Sequence, residues 1–136
     1  MIRRLAHVCI GATDLAETEG FYRDALGMEK AFDFFRAGHR IGFYLKAGES
    51  TFIEVFVENG ETQIERPLIR HFCLEVENLD AVCETLRSKG VEVSAKKLGG
   101  DGAWQAWITD PSGVRIELMQ YSEDSSQFSG RPVNLD

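Results

Sequence analysis

Four residues carry the chemistry that this sequence offers: His7, Glu54, His71 and Glu117. Each stands in an apolar stretch, and they form two His–Glu sets with spacings of 47 and 46 residues. Imidazole and carboxylate together suit a divalent cation, and an ion offsets the cost of carboxylates withdrawn from water. Four donors leave two positions of an octahedral shell for water or substrate oxygens, as a catalytic centre requires. Taken singly, each residue has a plainer reading. A strand Glu among aromatics belongs to a solvated face, and a lone strand His to a satisfied core. Their matched placement speaks against that reading for all four together.

The match comes from an internal repeat. HVCIGATDLAE from residue 7 aligns with HFCLEVENLDA from residue 71, an offset of 64. FIEVF at 52–56 aligns with RIELM at 115–119, an offset of 63, so one deletion separates the two blocks. A repeat of this kind marks one supersecondary unit used twice. The expected organisation is a first module over 1–60, a second over 61–121 and a tail over 122–136. The modules join near Gly60 to Pro67 and make one structural domain.

Each module reads as βαβββ. In the first, residues 4–11 alternate as a half-buried strand, and Thr13-Asp14 offers an N-cap for a helix at about 14–26 that Gly27 ends. Strands follow at about 28–36, 39–47 and 51–58. The second gives a strand at 69–76, a helix from the Asn78 cap to Gly90, and strands near 91–96, 102–109 and 114–120. Asp110-Pro111-Ser112-Gly113 is a turn. The tail, rich in Ser, Asp and Gly, reads as a loose or docked extension. The fold class is α+β, an open, barrel-like mixed sheet from tandem modules with helices on its outer face.

Alternation along strands sorts the side chains by face. His7 and Cys9 share one face of the first strand, and Glu54 shares its face with Phe52 and Phe56. In the second module His71, Cys73 and Glu75 share a face, as do Arg115, Glu117 and Met119. The opposite faces are aliphatic and suit packing against helices. Cys9 and Cys73, roughly 6–7 Å along the strand from each His, are soft ligands or redox-sensitive thiols on one reading and buried small hydrophobes on the other, which is favoured. Trp107 shares its face with Gln105 and reads either as a cavity wall or as an ordinary core aromatic, while Trp104 takes the opposite face. Gly99-Gly100 and Gly102 make a flexible stretch without the strand-to-helix context that cradles phosphate.

Composition narrows the classes further. The 136 residues are one ordinary domain's worth, 43% hydrophobic and 27% charged, so the chain is neither disordered nor collagen-like. Net charge is −7 with no basic block, which argues against nucleic acid or an anionic membrane as partner. Apolar runs are too short to span a bilayer, and the start is a poor secretory signal. Three scattered cysteines make a disulfide framework improbable and point to a reducing, cytoplasmic setting.

From Leu5 to Gln120, including FYRDALGM at 21–28 and TDPSGVRIELM at 109–119, the sequence resembles the vicinal oxygen chelate superfamily. The His–Glu–His–Glu set is similar to that of the lactoylglutathione lyases. The resemblance implies a glyoxalase-like fold, with His7, Glu54, His71 and Glu117 holding a divalent transition metal (nickel, cobalt, zinc or manganese). It implies a lyase or isomerase that chelates vicinal oxygens of a small carbonyl adduct and moves a proton through an enediolate. Glu117 is the favoured catalytic base, with Glu54 serving on the opposite face. A homodimer is expected, and no partner beyond a small-molecule substrate.

Two positions depart from the family pattern. Gly11 and Glu58 stand where bacterial lactoylglutathione lyases use Arg and Asn to hold glutathione. Arg36, Arg40, Arg70, Arg115 and Lys96-Lys97 are alternative clamps, each with a plainer reading as a solvated charge. Three other activities compete. An extradiol dioxygenase would use two His and one carboxylate, so Glu54 is one ligand too many. An epimerase of coenzyme A thioesters would favour Gln at position 54. A non-catalytic small-molecule binding or resistance protein would lack the ligand set.

Overall fold

The computed structural model describes residues 4–58 and 69–133. The expected joint at Gly60 to Pro67 lies outside the described residues. The chain divides into two compact units: Met1–Arg70 with Asp110–Val114, and His71–Thr109 with Arg115–Asp136.

In the first unit the order is β1 (His7–Ala12), α1 (Leu15–Gly20), a π-helical segment (Phe21–Ala25), β2 (Glu29–Arg36), β3 (His39–Lys46) and β4 (Phe52–Val57). Its sheet runs β1-β4-β3-β2, with β1 and β4 parallel and the other pairs antiparallel. Asp14 caps α1, its Oδ1 accepting from Glu17 N at 2.9 Å. Such a cap contributes about 1 kcal/mol. The helical stretch then widens into π geometry around Tyr22 instead of continuing as one α-helix to residue 26. Tyr22 is fully buried there, and its Oη donates to Asp110 Oδ2 at 3.0 Å. Gly27, at φ +71°, ends the segment in the left-handed conformation that glycine tolerates. Ala37 and Gly38 both have positive φ, as a tight β-hairpin turn between β2 and β3 requires.

The second unit repeats the order with β5 (Phe72–Glu75), α2 (Leu79–Ser88), β6 (Lys97–Leu98), β7 (Trp104–Thr109) and β8 (Arg115–Gln120), followed by α3 (Ser126–Ser129). Its sheet runs β5-β8-β7-β6, again parallel only between its first and last strands. Asn78 caps α2 through Ala81 N at 3.0 Å. The strand expected at 91–96 is absent, and pairing is confined to Lys97–Leu98. Ser94 explains the loss. Its hydroxyl accepts from Trp107 N at 2.8 Å, so a side chain takes the place a ladder carbonyl would fill. Arg87 draws off the Val93 and Ser94 carbonyls at 3.4 and 3.0 Å. The tail docks: Ser122 Oγ donates to Gly102 O, and Ser126 N to Asp101 O, each at 2.7 Å, around a fully buried Ser125.

The aliphatic faces pack as alternation requires. Ile10, Ala12, Phe43, Leu45, Ile53 and Val55 are buried in the first unit. Leu79, Cys83, Leu86, Ala106, Ile108, Ile116 and Leu118 are buried in the second. Each large side chain among them contributes about 1.5–3 kcal/mol by leaving water. Neither sheet closes on itself, so the architecture is α+β with two four-stranded mixed sheets. Among the described residues no helix is long and apolar enough to cross a membrane.

Candidate functional site

The faces turned away from the helices carry the four residues. In the first unit Cys9 is the register partner of Glu54, and His7 that of Phe52, so His7 lies one same-face step from Glu54 across the parallel pair. In the second unit Cys73 is the partner of Glu117, with His71 two residues earlier. The two placements correspond residue for residue. His71 Nε2 lies 3.3 Å from Glu117 Oε2, and Glu117 is buried. Glu54 is half-buried and both histidines are exposed.

Aromatic rings brace both histidines. His7 stands edge-on to Tyr44 at 5.8 Å between centroids, and His71 edge-on to Trp107 at 4.8 Å. Tyr44 pairs with Glu54, and Trp107 with Glu117. Trp107 thus forms a wall beside the His–Glu pair instead of a buried core aromatic. Tyr44 escaped notice in the sequence, although the 63-residue offset that relates Glu54 to Glu117 also relates Tyr44 to Trp107. The Arg115 guanidinium lies 4.5 Å from the Trp107 ring centroid, in cation–π contact. Trp104 takes the other face, under the Lys96 ammonium at 4.6 Å.

Cys9 and Cys73 are exposed, which corrects the expectation of buried small hydrophobes. They lie on the face that no helix covers. Desolvation of the sulfur pushes the Cys9 thiol up to about 11, reinforced by its hydrogen bond to Glu54 and the charges of Glu54 and Glu58. Desolvation, then the charge of Glu117 and the hydrogen bond to it, push Cys73 up to about 12. Both are neutral thiols at physiological pH, and so neither a thiolate ligand nor a ready nucleophile in this state.

The first unit's face is distinctly aromatic. Tyr44 stacks between Phe32 at 4.8 Å and Phe52 at 5.2 Å, and Phe34 meets Phe56 at 4.7 Å. Gly11, Phe56 and Gly42 form one cross-strand row. A Cβ on Gly42 would meet Phe56 Cδ1 at 2.7 Å and Val55 O at 2.2 Å. One on Gly11 would meet Glu58 Cγ at 2.3 Å and Oε1 at 2.8 Å. The two glycines make room for the Phe56 ring and the folded-back Glu58 side chain.

The donors suit a divalent metal ion. Donors at about 2.0–2.2 Å from one ion stand roughly 2.8–3.1 Å apart when cis in an octahedron and roughly 3.3–3.6 Å apart in a tetrahedron, and the His71–Glu117 separation of 3.3 Å lies close to both. Among the described residues no three or more His, Cys, Asp or Glu side chains gather into a group that could hold a metal ion; the donor contact present is that of His71 with Glu117.

A βαβββ module used twice, with a His–Glu pair on matched strands of each copy, defines an α+β protein of the glyoxalase fold. The chain belongs to the Glyoxalase/Bleomycin resistance protein/Dioxygenase superfamily, whose model matches residues 4–118. It is 30% identical over 125 residues to a protein of Synechocystis sp. named "Probable lactoylglutathione lyase", covering 87% of this chain and 95% of that one. It is 28% identical over 124 residues to the lactoylglutathione lyase of Salmonella typhimurium, covering 86% and 92%. The crystal structure of a glyoxalase family protein from Enterococcus faecalis superposes with a TM-score of 0.74 at 26% identity, covering 86% and 97%.

Proposed function

We propose that the protein is a metal-dependent lyase or isomerase of the glyoxalase type, acting on the adduct of a small carbonyl compound with a thiol. The observation that carries this reading is the 3.3 Å approach of His71 Nε2 to Glu117 Oε2, matched in register by His7 and Glu54. In this reading His7, Glu54, His71 and Glu117 would hold the ion. Bound there, nickel, cobalt, zinc or manganese would supply Lewis-acid chemistry.

The protein's own groups do the rest. Glu117 Oε2 takes the proton from the carbon that bears the sulfur and the hydroxyl and returns it to the neighbouring carbon. The hydroxyl proton passes to the adjacent oxygen, so the adduct leaves as a thioester with no change in composition. Glu54 serves the opposite face of the adduct. Trp107 and Tyr44 fix the planes of the two imidazoles by edge-on contact.

The open β2 and β6 edges of the two sheets support a homodimer in which a two-fold partner would cover them. Free thiols at Cys9, Cys73 and Cys83 suit a cytoplasmic setting. The test is metal content of protein purified without chelators, followed by hemithioacetal isomerisation and light scattering. A metal-loaded dimer that isomerises the adduct is expected. Metal-free protein that takes up no ion would overturn the catalytic reading, and a monomer at micromolar concentration the assembly.

A further inference from the structure

We infer that the aromatic face of the first unit selects an adduct whose thiol half bears an ammonium group, with the Glu58 carboxylate as the recognising charge; this rests on the glyoxalase-type reading of the site.

Three observations converge on it. The Glu58 side chain folds back over Gly11, on the face of His7, Cys9 and Glu54, so its carboxylate lies one same-face step, roughly 6–7 Å, beyond the Cys9–Glu54 pair. Among the described residues no hydrogen bond or ion pair occupies that carboxylate. Lys46, the register partner of Phe52, is already held by Glu29 at 2.8 Å. Phe56, the register partner of Gly11, and Phe34 lie on the same sheet face, and Phe32, 48% exposed, extends the ring surface.

Aromatic faces beside a carboxylate are the combination that attracts an ammonium, through ring quadrupole and charge together. The same face disfavours an anionic thiol, because a substrate carboxylate would meet the Glu58 charge at close range, and among the described residues no cation forms an ion pair with Glu58. Gly11 makes this arrangement possible, since any side chain there would collide with Glu58 Cγ.

The experiment uses the metal-loaded full chain and phenylglyoxal hemithioacetals of three thiols: 2-(dimethylamino)ethanethiol, 2-mercaptoethanol and glutathione. The expected kcat/KM is about ten-fold higher for the ammonium adduct than for the neutral one, with glutathione lowest. Glu58→Gln removes the preference. Gly11→Ala, which keeps the carboxylate but displaces it, removes it too. A binding arm runs without turnover: 2-phenylethylamine should bind about ten-fold more tightly than 2-phenylethanol, and Glu58→Gln should level the two. Equal binding of amine and alcohol, or a preference that survives Glu58→Gln in folded protein, overturns the inference even if glutathione adducts react. A Glu58-dependent amine preference without turnover of any adduct upholds it and overturns the catalytic reading instead.

Discussion

His71 stands edge-on to Trp107, with ring centroids 4.8 Å apart and planes at 82°. An imidazole so braced keeps Nε2 pointed at one place, and that place lies beside Glu117 Oε2. Groups that orient a ligand typically contribute ten-fold or more in metal affinity. Trp107→Leu is therefore expected to weaken metal binding by about ten-fold while the far-ultraviolet circular dichroism stays native. Metal titration of the variant checks it, and unchanged affinity would show that Trp107 serves packing alone.

His7→Ala removes one of the two ligands proposed in the first unit without touching its core, since His7 is exposed. Loss of most of the metal with little change in thermal stability is expected. Elemental analysis after gel filtration decides the matter, and full stoichiometry in the variant would remove His7 from the ligand set.

Glu117→Gln keeps the shape of a buried side chain and removes its basicity. Turnover should fall by about 10²-fold or more if Glu117 is the general base. The measurement must be made on metal-loaded protein. Retained turnover there would move the base to Glu54.

Tyr22 Oη and Asp110 Oδ2, both buried, are joined at 3.0 Å. Burial and the neighbouring Asp110 charge raise the Tyr22 phenol, so it stays a neutral donor throughout the working range. Tyr22→Phe should cost about 1.5–3 kcal/mol in denaturant unfolding, the usual value of a hydrogen bond to a charged group. A loss under 0.5 kcal/mol would mean that the Ser112 and Val114 amides, which bond Asp110 Oδ1 at 2.9 and 2.8 Å, suffice for the carboxylate.

Glu19 sits among Arg40, Lys30 and Arg23. Burial works against its charge, yet hydrogen bonds from these cations hold its pKa at about 2, well below the ordinary 4.5. A depressed carboxylate stabilises the fold fully above its unfolded value and loses that contribution as pH falls toward the folded one. After screening at partly exposed partners the contribution is about 1–2 kcal/mol. The stability gap between the wild type and Glu19→Gln should be widest at pH 6–7 and close steadily below pH 4.5. A gap independent of pH would exclude the ion pairs as its source.

Faces and repeats were legible in the sequence because they follow from periods of two and from direct alignment. The parity that put His7, Cys9 and Glu54 together is the parity of the sheet. Asp14 and Asn78 announced their caps by residue type. What stayed hidden depended on single side chains competing with the backbone. Ser94 replaces a ladder partner of Trp107, and no hydropathy pattern shows that a hydroxyl will do so. The widened turn at Phe21–Ala25 keeps the same buried residue, Tyr22, that an α-helix would bury, so periodicity is blind to it. The exposure of Cys9 and Cys73 was missed because residue-type averages favoured burial over the face that alternation had already assigned. Glu58 was visible as a departure from a pattern, but only coordinates show that it fills the space Gly11 leaves.

In each unit the His and Glu strands are the first and last of the module, paired in parallel across more than forty intervening residues. Such a pairing is non-local, and its loop-closure entropy makes it intrinsically slow to form. During synthesis His7 is made long before β4 can reach it, and a chain cut short of β4 or β8 holds an imidazole without its carboxylate. If the four residues hold an ion as proposed, capture of metal would report that a module has finished folding.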